Sequence, residues 1–216
     1  MAEPADPWIH HLAHRALQRS SDDLHLALEA MGEADHRRAR ALVRWFRGFG
    51  AVVDDLLTIE DRVVFPFLAA RVPTYHLHAD QVRSDHDELR RLVRVTAAAL
   101  DRLAGDDPWR STRPDAARAA DTLRALLIDH LDLEDQDVLP LFERHVTADE
   151  YGALLRPALA TIPWRHRPFA LAWQAHDLDP TELSRAHAAA GPMAAALWRV
   201  GRGRYRRLAA AALGGR

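Results

Sequence analysis

Two segments of this chain, DDLLTIEDRVVFPFL at Asp54–Leu68 and DHLDLEDQDVLPLF at Asp129–Phe142, are versions of one pattern. Aligned on Glu60 and Glu134, they pair Asp55 with Asp129, Leu57 with Leu131, Asp61 with Asp135, Val64 with Val138 and Pro66 with Pro140. Each proline falls six residues after its glutamate, inside a helical stretch, where it should remove a backbone hydrogen bond and bend the axis. A costly feature at matching positions points to one inherited unit. The segments further upstream agree, because HRALQR at His14–Arg19 and HDELRR at His86–Arg91 share His-x-x-Leu-x-Arg. The offset is 72 residues there and 74 at the glutamates, so a helix hairpin has been duplicated. Two copies at so long a period suggest a bundle with a pseudo-twofold axis, not a solenoid.

Helix punctuation gives the boundaries, and no convincing strand pattern interrupts it. Asp6-Pro7 reads as an N-cap followed by proline at the first helical position, and Gly32 closes that helix. Asp35 caps a second helix that stops at Pro73; Thr74 opens a third that ends near Gly105; Thr112 and Pro114 open a fourth. The expected helices are 7–31, 35–71, 75–104 and 114–146. Short connectors make neighbours antiparallel, which predicts an all-α, up-down-up-down four-helix bundle. Thr147-Ala-Asp-Glu150 is a capping box for a fifth helix to about Thr161. Residues 1–156 are therefore expected to form the bundle, and 157–216 a helical extension packed on it with a basic tail. In that extension Gly191 should break a helix begun at Asp179-Pro180, while Leu197, Trp198 and Tyr205 should pack inward.

Composition narrows the chemistry. With 48% hydrophobic residues and a formal charge of −2, the chain reads as an ordinary globular protein without a nucleic-acid partner. No apolar run approaches a membrane span and MAEPADPW lacks the features of a signal peptide, so a cytoplasmic location without membrane insertion is expected. The absence of cysteine excludes disulfides and thiolate metal sites. All 29 basic residues are arginine, which fits a coding bias. Thirteen histidines need an account.

Five residues stand out by placement: His14, Glu60, His86, His130 and Glu134. Each of the four long helices contributes, at corresponding positions of the repeat. His130 and Glu134 are four apart and project together, and an imidazole with a carboxylate can hold iron, manganese or zinc. The spacing alone is weak, since His25 and Glu29 share it; that pair is expected at the surface. His76, His78, His145, His166, His176 and His187 are likewise expected at the surface, and at most two of His10, His11 and His14 can face the core. The competing reading makes Glu60 and Glu134 rim residues paired with arginines such as Arg62. Carboxylates on a core face instead imply a cation or a shifted proton, because burying them unpaired costs several kcal/mol.

These residues resemble the hemerythrin-like (HHE cation-binding) family. Its pattern is a histidine on the first helix, His-x-x-x-Glu on the second, a histidine on the third and His-x-x-x-Glu on the fourth. The matching positions are His14, Glu60, His86, His130 and Glu134, and the resemblance covers about residues 8–156. It also includes the EDxxVxP runs and ERHVTADEYGAL at Glu143–Leu154. It implies two non-haem irons bridged by the carboxylates, with dioxygen or another small oxidant as partner, in carriage, sensing or redox chemistry. Oxygen carriers hold a second histidine on the third helix, and here the residues at that spacing are Val82 and Arg90.

The chain departs from the pattern at Leu56, where the second-helix histidine is expected. Three outcomes follow. The protein is a non-haem iron oxidoreductase with one strong and one weak metal position; or it is an oxidase or oxygenase with an apolar pocket for a small substrate at Gly48, Phe49, Val52, Val53 and Leu56; or it is a metal-free interaction bundle. Asp55 cannot replace the missing ligand without local unwinding, since it lies about 100° around the helix from Leu56.

Overall fold

A computed structural model describes residues 2–214, without the side chain of Arg156. The chain is helical as its punctuation dictates: α1 (Trp8–Glu29), α2 (His36–Ile59), α3 (Phe65–Arg71), α4 (His76–Ala104), α5 (Trp109–Leu133), α6 (Leu139–His145), α7 (Ala148–Thr161), α8 (Arg167–Gln174) and α9 (Pro180–Leu213). Among the described residues the only strand-like pairing is an isolated bridge between Pro4 and Thr147.

The long helices form the expected antiparallel bundle. α5 packs between α1 and α4, and α4 packs between α5 and α2. α8 and α9 lie over the side between α1 and α2. Caps hold the ends: the Asp35 side chain accepts from the backbone of Arg38, and Thr147 with Glu150 makes the reciprocal capping box. The fourth long helix starts five residues earlier than Pro114 suggests, at Trp109, with Pro108 as its N-cap. Pro114 thus lies inside the helix, where it removes one backbone hydrogen bond, and Trp109 edge-on to His36 anchors the added turn.

The two internal prolines do more than bend an axis. Both repeats pass through a π turn, Glu60–Val64 and Glu134–Val138, immediately before the proline-bearing helix. The amide of Phe65 reaches back to the carbonyl of Glu60, and that of Leu139 to Glu134. The wider turn absorbs the missing proline N–H and sets each glutamate at the junction. Such bulges recur at functional sites.

Two apolar clusters fill the interior. One surrounds the stacked pair Trp45 and Phe49, with Leu57, Leu89 and Leu131 nearest the middle of the bundle. The other surrounds Leu68 and Phe142, with Val64, Val82 and Val138 facing the first. The buried polar side chains His14, Glu60, His86, His130 and Glu134 fall between them along each helix.

The C-terminal helices join the first cluster through Trp173, Tyr205, Ala209 and Ala212. Tyr205 packs inward as expected, whereas Leu197 and Trp198 are half-buried. Gly191 adopts φ +81° ahead of Pro192 and kinks α9 where a break was expected. Two glycines seat α8: a Cβ at Gly48 would lie 2.4 Å from the Phe169 ring, and one at Gly201 would lie 2.7 Å from the Pro168 carbonyl.

Candidate metal centre

Glu60, His86, His130 and Glu134 each offer a ligand atom within 4.8 Å of the others, and all four are buried. His86 Nε2 lies 3.5 Å from Glu60 Oε2, and His130 Nε2 lies 3.5 Å from Glu134 Oε1. The two imidazole rings meet edge to face at 4.9 Å. His14 approaches from α1, with Nε2 3.3 Å from Glu134 Oε2. Glu134 therefore turns one oxygen toward each half of the repeat. His14 sits beside the four-residue cluster and not within it.

The rim alternative fails on burial. Glu60 is 1% exposed and Glu134 2%, while Arg62 points to solvent. Both Glu60 carboxylate oxygens, Glu134 Oε1, His86 Nε2 and His14 Nε2 are shut from solvent without a hydrogen-bond partner among the described residues. Orphaned buried donors and acceptors are costly and rare, and here they converge on one point. Nitrogen and carboxylate oxygen in that number suit a divalent transition metal. The residues fit the ion that the motif implies.

The tautomers fit as well. Nδ1 of His86 lies 2.8 Å from Asp61, and Nδ1 of His14 lies 2.8 Å from Asp135. A carboxylate can only accept, so each Nδ1–H donates and each ring turns Nε2 to the buried carboxylates, where a proton or a metal ion can sit. Arg90 donates to the other oxygen of Asp61 at 2.7 Å, and His11 Nδ1 lies 3.3 Å from Asp135. His130 directs Nδ1 toward buried Asp85, 3.6 Å away, and Gln81 holds that carboxylate at 2.7 Å. None of these three aspartates carries a sequence signal separating it from a solvated charge. The ED dipeptide in both repeats was the one available hint.

Electrostatics report the same strain. Burial, together with the neighbouring Glu134 charge, pushes Glu60 well above the usual carboxylate range. Burial likewise opposes ionisation of Glu134, but the surrounding histidines hold it low. Burial alone would lower His14, yet Asp135 and Glu134 outweigh it and push it up to about 9. Burial, and then the charge of His130, lowers His86. A divalent cation competes with protons for these lone pairs and relieves the repulsion between the carboxylates.

The two halves differ at more than one residue. In the second half Asp85 faces His130; the repeat-equivalent positions in the first half are Ala13 and Leu56. The ligand and its supporting carboxylate are thus both apolar there. Asp55 does not fill the gap: it pairs with His166, just before α8, at 2.7 Å while the helix stays regular. Val82 is fully buried, and Arg90 serves Asp61.

Of the five residues expected to form a pocket, Val52 and Leu56 line a cavity. Phe49 and Val53 lie in the packed core, and the room left by Gly48 is taken by Phe169.

The remaining histidines divide. His25 is half-buried and pairs with exposed Glu29 at the rim, and His76 and His145 are exposed. His10 and His14 face inward and His11 outward. His78, His166, His176 and His187 are half-buried, against expectation; the last three meet contacts that α8 and α9 create.

Comparison with curated proteins gives no match, and neither does comparison with solved structures. A family comparison does: the sequence model of the hemerythrin HHE cation binding domain matches residues 9–142. That span carries His14, Glu60, His86, His130 and Glu134 and both π turns. The chain belongs to the hemerythrin HHE cation-binding domain family.

Proposed function

We propose that this protein is a non-haem iron protein working on dioxygen, peroxide or another small oxidant, with one strong and one weak metal position. The observation that carries the reading is the asymmetry of the halves. His86, His130, Glu60 and Glu134 would hold the strong position; His14 with the shared glutamates would hold the weak one. Iron supplies one-electron chemistry when bound. The chain supplies the rest: Asp61 and Asp135 orient the imidazoles and fix their tautomers. The apolar clusters on either side exclude water from the centre. A ligand set of two imidazoles and carboxylates suits oxidant activation better than reversible carriage, for which the third-helix histidine is lacking.

Anaerobic iron loading followed by dialysis and metal analysis tests the proposal. The expected result is about one tightly held equivalent per chain, with a paramagnetic mononuclear signal after oxidation. Two equally tight equivalents forming a spin-coupled pair would overturn the unequal reading. Fewer than about 0.2 equivalents of any transition metal would favour a metal-free bundle instead.

A further inference from the structure

The place of the lost ligand is not filled. A cavity of about 110 Å³ lies against Ala13 and Leu56, walled by Val52, Ala158, Ala170 and Trp173. A larger cleft of about 290 Å³ adjoins it under α8 and α9. Ile9, Leu159, Ile162, Ala170 and Gln174 line both, so the two adjoin in a passage that ends against Leu56, beside the buried cluster and not opening on it. At its mouth Leu159 (40% exposed), Trp164 (59%) and Met193 (63%) show large apolar side chains to water.

The inner chamber is almost wholly apolar. Apart from Gln174, its polar groups at the wall are already engaged: Asp55 with His166, and His10 Nδ1 with the Tyr151 hydroxyl. The outer chamber differs in one respect. His187 lines it, edge-on to Trp198, and its Nε2 is unpaired among the described residues and turned from water, so a head group meets it after a turn of the ring. Gln174, where the chambers meet, has no side-chain hydrogen bond among those described. A dry inner recess with unused hydrogen-bonding groups further out is the chemistry of a site for a molecule with an apolar end and one polar head.

Size fixes the class further. Apolar cavities of about 150 Å³ accept a benzene ring, so the recess takes a short aliphatic chain or the edge of a single ring. No unpaired charge faces the passage: Arg167 donates to the Ile162 and Ala160 carbonyls. We infer that the C-terminal helices build a binding site for a neutral, apolar small molecule with a hydroxyl or carbonyl head. The head meets His187 or Gln174, and the apolar end lies against Leu56, one turn from Glu60. That this molecule is acted on by the iron centre rests on the function proposed above; that it binds does not.

Straight-chain primary alcohols from butanol to octanol are the probe, titrated into the full chain with and without bound iron. Calorimetry and the fluorescence of Trp164, Trp173 and Trp198 report binding. One saturable site is expected, with affinity rising about three- to fourfold per methylene until the recess is full, and no binding of glycerol. Ala13→Leu, which fills the recess, should cost octanol at least about tenfold in affinity and leave butanol unchanged. Should that variant not fold, Ala158→Leu on the opposite wall reads the same loss. His187→Phe should weaken every alcohol about three- to tenfold and leave the matching alkanes unaffected. Non-saturable uptake, or equal affinities in the folded Ala13→Leu or Ala158→Leu variant and the parent, would overturn the site. Alcohol binding without iron uptake upholds the pocket and removes the iron reading; iron uptake without alcohol binding does the reverse. With both in place, octanol should perturb the optical spectrum of the iron-loaded protein, and glycerol should not.

Discussion

Asp61 holds Nδ1 of His86 at 2.8 Å, on the side of the ring away from the buried carboxylates, and its repeat equivalent, Asp135, does the same for His14. Each buried glutamate is thus followed by the residue that orients an imidazole from the other hairpin. The dipeptide ED works across the bundle.

Replacing Asp61 by asparagine keeps the shape but no longer demands the Nδ1–H tautomer. Metal affinity should fall about 10- to 100-fold while the fold is retained. Competition with a chelator of known affinity measures it. Asp135→Asn should cost less, since His14 stands beside the main cluster.

The missing arm can be restored. Leu56→His alone places an imidazole without a supporting carboxylate, so a weak second equivalent is expected. With Ala13→Asp added, which copies the relation of Asp85 to His130, the second equivalent should tighten about 10-fold or more. Metal stoichiometry of the parent and both variants, read together, checks this.

Metal removal should be visible as lost stability. A ligand at about 100 times its dissociation constant stabilises the native state by about 2.7 kcal/mol. Thermal melts before and after chelation should therefore differ by several degrees, and a Glu60→Ala, Glu134→Ala double variant should show no such difference.

Much of this arrangement was legible in the sequence, for a physical reason. The candidate ligands sit at helical spacing in a duplicated unit, so His14, Glu60, His86, His130 and Glu134 declared themselves through position. Asp61, Asp85 and Asp135 did not, because a carboxylate that faces a buried imidazole has the same local sequence as one that faces water. The π turns were visible only as prolines. The contacts that roof the passage, Asp55 with His166 and Gly48 with Phe169, join residues more than a hundred positions apart and leave no periodic trace.

Gly48→Ala tests that roof. The added methyl would overlap the Phe169 ring, so α8 must shift; a destabilisation of about 1–3 kcal/mol is expected in chemical denaturation. Gly32→Ala, with open space around its Cβ position, serves as a control and should cost far less.

Glu150 gives a pH signature independent of the metal. Its carboxylate accepts from the Thr147 backbone and from Arg71, which hold it down from 4.5 to about 2. A depressed acid contributes stability fully above its unfolded value and loses it as pH falls through the folded one. Thermal melts of the parent and of Glu150→Gln should therefore differ by a constant amount above about pH 5 and converge toward pH 2.

The π turns also date events within the chain. A π turn holds one residue more than the helix around it, so it records an insertion. Both repeats carry it at the same register, beginning at Glu60 and at Glu134. One insertion before the duplication accounts for both; two separate insertions at one register would be a coincidence. Ala13 and Leu56 differ from Asp85 and His130 in a single half, so that divergence is younger than the duplication. The bent glutamate helix is what the two halves share, and the apolar arm under the C-terminal helices is where they differ.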